Sequence, residues 1–256
     1  MSIESQFDAS LVPTQQKKNL SRESLLDPSY LPKHEAVYRA FVLKKYFSVD
    51  WRRFCTNYVN PIFEFLNEEH LNALSDYLIQ RSEALGASDD SPVSILEVGA
   101  GNGRLSHFLQ EQLNLKFPGK ANITATDSGK LGLESVFPVE KIDHEKALKK
   151  YKPKIVICSW MPNRVDFTES FRAAKSVNEY ILIGEADGGC CGDDWLTWGI
   201  SSSLGENRNG NKKVAPYIAD GFVREKLEAI SAYQICRSDE PGFYGKSVTI
   251  SFKRNS

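Results

Sequence analysis

Apolar positions change their spacing partway along the chain. From His34 to about Leu85 they recur every three or four residues. HEAVYRAFVLKKYF and NEEHLNALSDYLIQRSEALG both read as helices. In the second, Leu71, Leu74 and Leu78 form one stripe, with Asn67 as N-cap and Gly86 closing the C-terminal end. Between them FCTNYVNPIFEFL is rich in aromatics and broken by Pro61. GASDDSP, residues 86–92, has the composition of a linker. Beyond it short apolar runs alternate with helical ones: VSILEV, ANITATD, FPVEKI, KIVICSW, EYILIG, AYQICRS and SVTISF. Strands alternating with helices predict a doubly wound α/β fold around a mostly parallel sheet. DEPGFYGK, between the last two runs, is too short for a crossover helix, so these two should pair antiparallel. The expected sheet has seven strands, six parallel and one reversed.

Three regions follow. Residues 1–32 are polar, hold Pro13, Pro28 and Pro32, and read as a draped arm. Residues 33–88 read as a helical lid, and residues 89–256 as the sheet domain. The 256 residues, 41% hydrophobic and 25% charged, suit one large globular unit. A net charge of −1 gives no bulk attraction to nucleic acid or anionic membrane, and no apolar run reaches a membrane span of about 18 residues. The first residues lack an apolar signal core and carry Glu4 and Asp8. Five cysteines without CxxC spacing suggest a reducing compartment, the cytoplasm with a nuclear pool left open. The four scattered histidines and the adjacent pair Cys190-Cys191 supply no zinc spacing, so no metal is expected. The basic run EKALKKYKPK reads as a solvated helix face.

The chemistry concentrates in ILEVGAGNGRLSHFL, residues 95–109. Glycines follow a predicted strand and open an amphipathic helix, so a ligand can approach bare backbone at the sheet's carboxyl edge. The spacing is GxGxG; the third glycine of a dinucleotide GxGxxG would fall at Arg104. Glu97 stands two residues before the first glycine, where it would repel a pyrophosphate and attract an ammonium or sulfonium. The loop therefore suits a cationic, phosphate-free nucleoside. A nicotinamide-linked oxidoreductase is disfavoured on the same grounds.

Glu97-Val98-Gly99-Ala100-Gly101-Asn102-Gly103 resembles motif I of the class I S-adenosylmethionine (SAM) methyltransferases, and the resemblance extends over residues 92–256. It implies a seven-stranded sheet with SAM across its carboxyl edge, bound by Glu97, Gly99, Ala100, Gly101 and Gly103. It assigns Asp127, with Ser128 beside it, to the ribose diol. It assigns Asp143 to the adenine amino group, and Ser159 and Trp160 to the pocket wall after strand four. Asp127 could instead form a turn, and Asp143 could cap a helix. SWMP, residues 159–162, departs from the Asn/Asp/Ser-Pro-Pro-aromatic motif of some amino-directed members. With EADGGCCGDDWLTWG it resembles a poorly characterised branch that names no acceptor. The acids and indoles after strand five suit an amine or other nitrogen acceptor, on a small molecule or a protein side chain, by charge and cation–π attraction. Met161, Asp187, Asp194, Trp195 and Tyr38 are its candidate binding residues, with Phe41 and Tyr46 closing the same side. No catalytic base is evident. A SAM-binding scaffold without turnover is the alternative.

Overall fold

The computed structural model describes Ser24, Cys55, Thr56 and residues 27–42, 61–200, 214–239 and 245–255. Its strands are β1 (Val93–Val98), β2 (Ala121–Asp127), β3 (Glu140–Lys141), β4 (Ile155–Ser159), β5 (Glu179–Glu185), β6 (Phe222–Lys226) and β7 (Ser247–Arg254). They form one sheet in the order β3-β2-β1-β4-β5-β7-β6. β7 runs antiparallel to both β5 and β6, and the pairs among β1 to β5 are parallel. Six strands thus share one direction and β7 is reversed.

The helices are α1 (His34–Val42), α2 (Glu68–Ala84), α3 (Arg104–Lys116), α4 (His144–Tyr151), α5 (Thr168–Ala173), α6 (Pro216–Ala219) and α7 (Glu228–Ser231). The central strands are apolar at consecutive positions because both faces of the sheet are covered. Ile95, Ile155, Ile157, Ile181 and Ile183 pack with Leu74 and Leu78 of α2 and Leu109 and Leu113 of α3. Their neighbours Leu96, Val98, Val156, Cys158 and Leu182 pack with Leu148 of α4, Phe171 of α5 and Trp198. α2 therefore shares a core with the sheet. Its ends are those the residues specify: the Asn67 side chain accepts from the His70 N–H at 2.9 Å, and Gly86 just past the C-cap has φ +81°.

Two strand expectations need correction. AYQICRS is not strand six. Gln234, Ile235 and Cys236 are buried, but their segment is a turn whose sheet-like contact is one bridge, Glu64 to Cys236. Strand six is FVREK, which hides in the sequence because an edge strand buries little: Phe222 is buried, while Val223, Glu225 and Lys226 are exposed. The β6–β7 link is consequently residues 227–246 and includes α7, so the antiparallel pairing holds although the short link invoked for it does not. β3 keeps only two residues of FPVEKI, whose Pro138 has no N–H to give a ladder.

Candidate functional site

Strand order reverses beside β1, whose neighbours are β2 on one side and β4 on the other. Chains leaving β1 and β4 diverge there, and a crevice opens at the carboxyl edge. The cleft has a volume of about 440 Å³. The turns after β1, β2, β3 and β4 line it, together with Pro28, the 61–64 segment and Leu66.

The glycine loop contributes bare backbone at two points. A Cβ added to Gly99 would meet nothing within 4 Å, and one on Gly101 would only touch Leu133 Cδ1 at 3.4 Å. Both residues line the cleft, as do Ala100 and Asn102. Gly103 differs. It precedes α3 with φ +79°, and a Cβ there would lie 2.7 Å from Val139 Cγ2. Its bareness lets the helix start pack against the 137–139 segment, and Gly103 is not among the residues that line the cleft.

The acids stand around this loop. Glu97 is buried, at 2% exposure, yet borders the cleft. Its Oε2 accepts from the Ser106 N–H at 3.1 Å and from the Ser106 hydroxyl, while Oε1 has no partner among the described residues. Burial pushes its pKa up to about 7, and the nearby Asp127 charge adds to the rise. A cation placed beside it would restore the ionised form. Asp127 accepts from the Gly101 N–H at 3.0 Å and the Gly129 N–H at 2.7 Å, one bond on each oxygen. It is thus a turn former, and each oxygen keeps a second acceptor position. Ser128 and Asp143 also line the cleft. Asp143 Oδ1 caps α4 by accepting from the Glu145 N–H at 3.1 Å, and beside it the His144 ring lies 4.4 Å from Phe167.

After β4, Ser159, Trp160, Met161 and Pro162 form the far wall. Trp160 holds φ +55°, a conformation costing a non-glycine residue about 1–3 kcal/mol. Two bonds keep it there: its N–H donates to Ile183 O at 2.7 Å, and its indole Nε1–H donates to Glu64 Oε2 at 2.9 Å.

The remaining acceptor candidates do not line the cleft. Asp187 pairs with Arg224 at 2.6 Å, and Asp194 is exposed. Trp195 is half-buried outside the cleft lining. The reason is how residues 184–199 fold. The Gly192 N–H donates to Met161 O at 3.2 Å, and the Arg164 N–H donates to Gly192 O at 2.7 Å. Asp193 Oδ1 caps the Trp195 and Leu196 N–H groups, and the buried Trp198 donates to Cys191 O. The loop supports the 161–164 segment and leaves its acids to solvent and local caps. Tyr38, on α1, stacks with His34 at 6.2 Å and also lies off the cleft. The Phe41 side chain and Tyr46 lie outside the described residues.

Glu64 was missed from the sequence. It lies in the cleft wall, 7% exposed, and burial pushes its pKa up to about 7. Its signal was a single acid among apolar neighbours in PIFEFL. Arg104, where a dinucleotide fingerprint would carry glycine, donates to Pro28 O and Tyr30 O and so ties the arm to the start of α3. Among the described residues there is no group of three or more His, Cys, Asp or Glu side chains able to hold a metal, and no helix long and apolar enough to cross a membrane.

No family model matches the sequence, and no curated protein does. Similar solved structures include the DszA carbon methyltransferase, at 16% identity over 73% of this chain and 55% of that one, with a TM-score of 0.42. They include the CurJ carbon methyltransferase, at 12% identity over 93% and 62%, with a TM-score of 0.40. The plantazolicin methyltransferase BpumL in complex with SAH is similar at 13% identity over 86% and 96%, with a TM-score of 0.35. The chain thus spans only 55% and 62% of the length of the first two.

Proposed function

We propose that the cleft binds SAM and that the protein transfers its methyl group to a nitrogen nucleophile. The observation that carries this reading is the pairing of an open Gly99 with two carboxylates of unequal setting. Gly99 leaves room at the floor, Glu97 offers a desolvated carboxyl to a cation, and Asp127 keeps an acceptor on each oxygen for a diol. Glu97 would repel a pyrophosphate, and the third glycine of a dinucleotide loop is replaced by Arg104, which is tied to Pro28 and Tyr30. Bound SAM would supply an electrophilic methyl on sulfur. The chain's own residues bind and align: Asp143 with His144 at the adenine end, Ser159 and Trp160 along the wall, and Pro28 with the 61–64 segment and Leu66 keeping water out. The acids of residues 184–199 no longer support an amine acceptor. Glu64, at the same cleft, does.

Titration calorimetry should show binding of SAM and S-adenosylhomocysteine, and none of NAD. Gly99→Val should weaken SAM at least tenfold, because its side chain enters space the ligand needs, where a Cβ meets no protein atom within 4 Å. The left-handed φ of +70° adds a loss of stability of roughly 1–3 kcal/mol. A folded Gly99→Val protein with parental SAM affinity would remove the ligand from this loop. Methyl-labelled SAM then separates turnover from binding alone.

A further inference from the structure

Glu64 sits in a buried polar knot at the wall of the cleft. Oε2 accepts from the Trp160 indole at 2.9 Å and from the Ser247 hydroxyl at 2.7 Å. Oε1 accepts from Gln234 Nε2 at 3.3 Å. Gln234 is set in turn by the Thr249 hydroxyl, which donates to its Oε1 at 2.7 Å. The three donors come from the segment just after β4, from β7 and from the 232–236 turn. A carboxylate has about four acceptor positions, and the described residues fill three. The fourth is on Oε1, in a residue that borders the cleft. Three fixed donors orient the group and leave one open valence.

Its surroundings favour neither charge state outright. Desolvation and the Asp239 carboxyl oppose ionisation, while the Ser247, Trp160 and Gln234 bonds favour it. The other ionisable groups nearby are Arg237, Cys236 and Glu185. The Arg237 guanidinium lies 4.4 Å from the Phe63 ring centre and 5.4 Å from that of Trp160. Cys236 approaches Glu185 with its Sγ, and its N–H donates to Asp239. Beside the carboxyl the wall is apolar: the Phe63 and Trp160 rings touch at 5.7 Å, continued by Ile62, Leu66, Met161 and Pro162.

We propose that Glu64 is the acceptor-side catalytic residue: it holds the N–H of an amine borne on a flat apolar body and receives that proton as the methyl is transferred. This rests on the SAM reading of the cleft. An ammonium has no lone pair and cannot attack carbon. The neutral amine's own lone pair forms the N–C bond, and the N–H bond of the ammonium so formed then breaks, its proton passing to Glu64 Oε1 and its electrons staying on nitrogen. The electrons of the C–S bond remain on sulfur. The acid titrates near 7, where a general base is most effective at neutral pH.

The test uses benzylamine as the probe, with S-adenosylhomocysteine bound to the full chain. Glu64→Gln keeps the side-chain shape and an acceptor for Trp160 and Ser247. Benzylamine should bind the parent and bind this variant at least tenfold more weakly, with S-adenosylhomocysteine affinity within about twofold. In the parent, benzylamine affinity should rise through a midpoint near pH 7, and the Trp160 indole N–H resonance should titrate with the same midpoint. Both effects should vanish in Glu64→Gln. Trp160→Phe removes one donor to the carboxylate and should move the affinity midpoint upward. Equal benzylamine affinity in parent and Glu64→Gln, or no benzylamine binding at all, overturns the proposal. If S-adenosylhomocysteine itself fails to bind, the SAM reading fails instead, so the two failures are distinct.

Discussion

Asp127 shows how one side chain can satisfy two readings at once. Its carboxylate already accepts from Gly101 and Gly129, so it shapes the loop whether or not a ligand arrives. A ribose diol would use the acceptor positions left over. Asp127→Ala should therefore raise the SAM dissociation constant tenfold to hundredfold, the effect of about 1.5–3 kcal/mol for bonds to a charged group. The discriminating measurement is a 2′-deoxy analogue of the cofactor. The parent should bind it more weakly than SAM, and the alanine variant should bind the two alike. If the ratio is the same in both proteins, Asp127 acts only on the turn. Glu97 carries a similar lesson. The sequence placed an acid before the glycines, but its bonds to Ser106 and its depth emerge only once α3 packs on β1.

At the scale of the element, the glycine loop and α3 divide their labour. GxGxG told that a bare turn joins β1 to a helix, and that is what formed. It could not tell which glycine faces a ligand and which faces the protein. Gly99 opens to the cleft, whereas Gly103 lets α3 approach the 137–139 segment. Gly103→Ala should accordingly behave as a packing defect. The side chain would need Val139 to move from 2.7 Å, at φ +79°, and the loss of stability should be roughly 1–3 kcal/mol. Thermal unfolding should shift down by several degrees, while SAM affinity of the folded fraction stays within about threefold. A large affinity loss with unchanged unfolding temperature would put Gly103 back at the ligand. The loop after β5 makes the opposite point. Its acids and tryptophans suited a binding site by composition. Its bonds to Met161 and Arg164 made it a support for the wall and turned Asp187 and Asp194 outward.

For the molecule as a whole, buried ionisable groups set how stability follows pH. His70 of α2 is fully buried, with neither ring nitrogen partnered among the described residues, and desolvation with the neighbouring His34 lowers its pKa to about 4. Its folded value lies below the unfolded 6.5, so the neutral ring's contribution is present above about pH 6.5 and is lost as pH falls toward 4. Glu64 and Glu97 run the other way. Their folded values, near 7, exceed the unfolded 4.5, so they favour the fold at low pH and oppose it as pH rises through 7. His70→Leu isolates the first effect, since no hydrogen bond is lost. Relative to the parent it should gain about 2 kcal/mol between pH 7 and pH 5, the linkage expected for that pKa difference. Urea unfolding at the two pH values checks this. A constant difference would mean that water or a partner charge reaches His70.

Chain-local patterns settled much of this protein by themselves. Consecutive apolar residues in VSILEV, KIVICSW and EYILIG required a sheet covered on both faces, because such runs have no side to show to water. Asn67 and Gly86 bounded α2 through their own backbone chemistry, and the Glu97–Gly103 spacing put a bare turn at the sheet's edge. Tertiary structure decided what depends on distant partners. FVREK became a strand because β7 offered it an open edge, against a weak pattern of its own. AYQICRS lost its strand because its buried groups were met by the 63–65 segment and by β7. Glu64 became part of the cleft only when Trp160, Gln234 and Ser247, from 96 to 183 residues away in the chain, converged on one carboxyl. No local periodicity records such a convergence, since each donor has an ordinary sequence environment and the acid's role is created by their meeting.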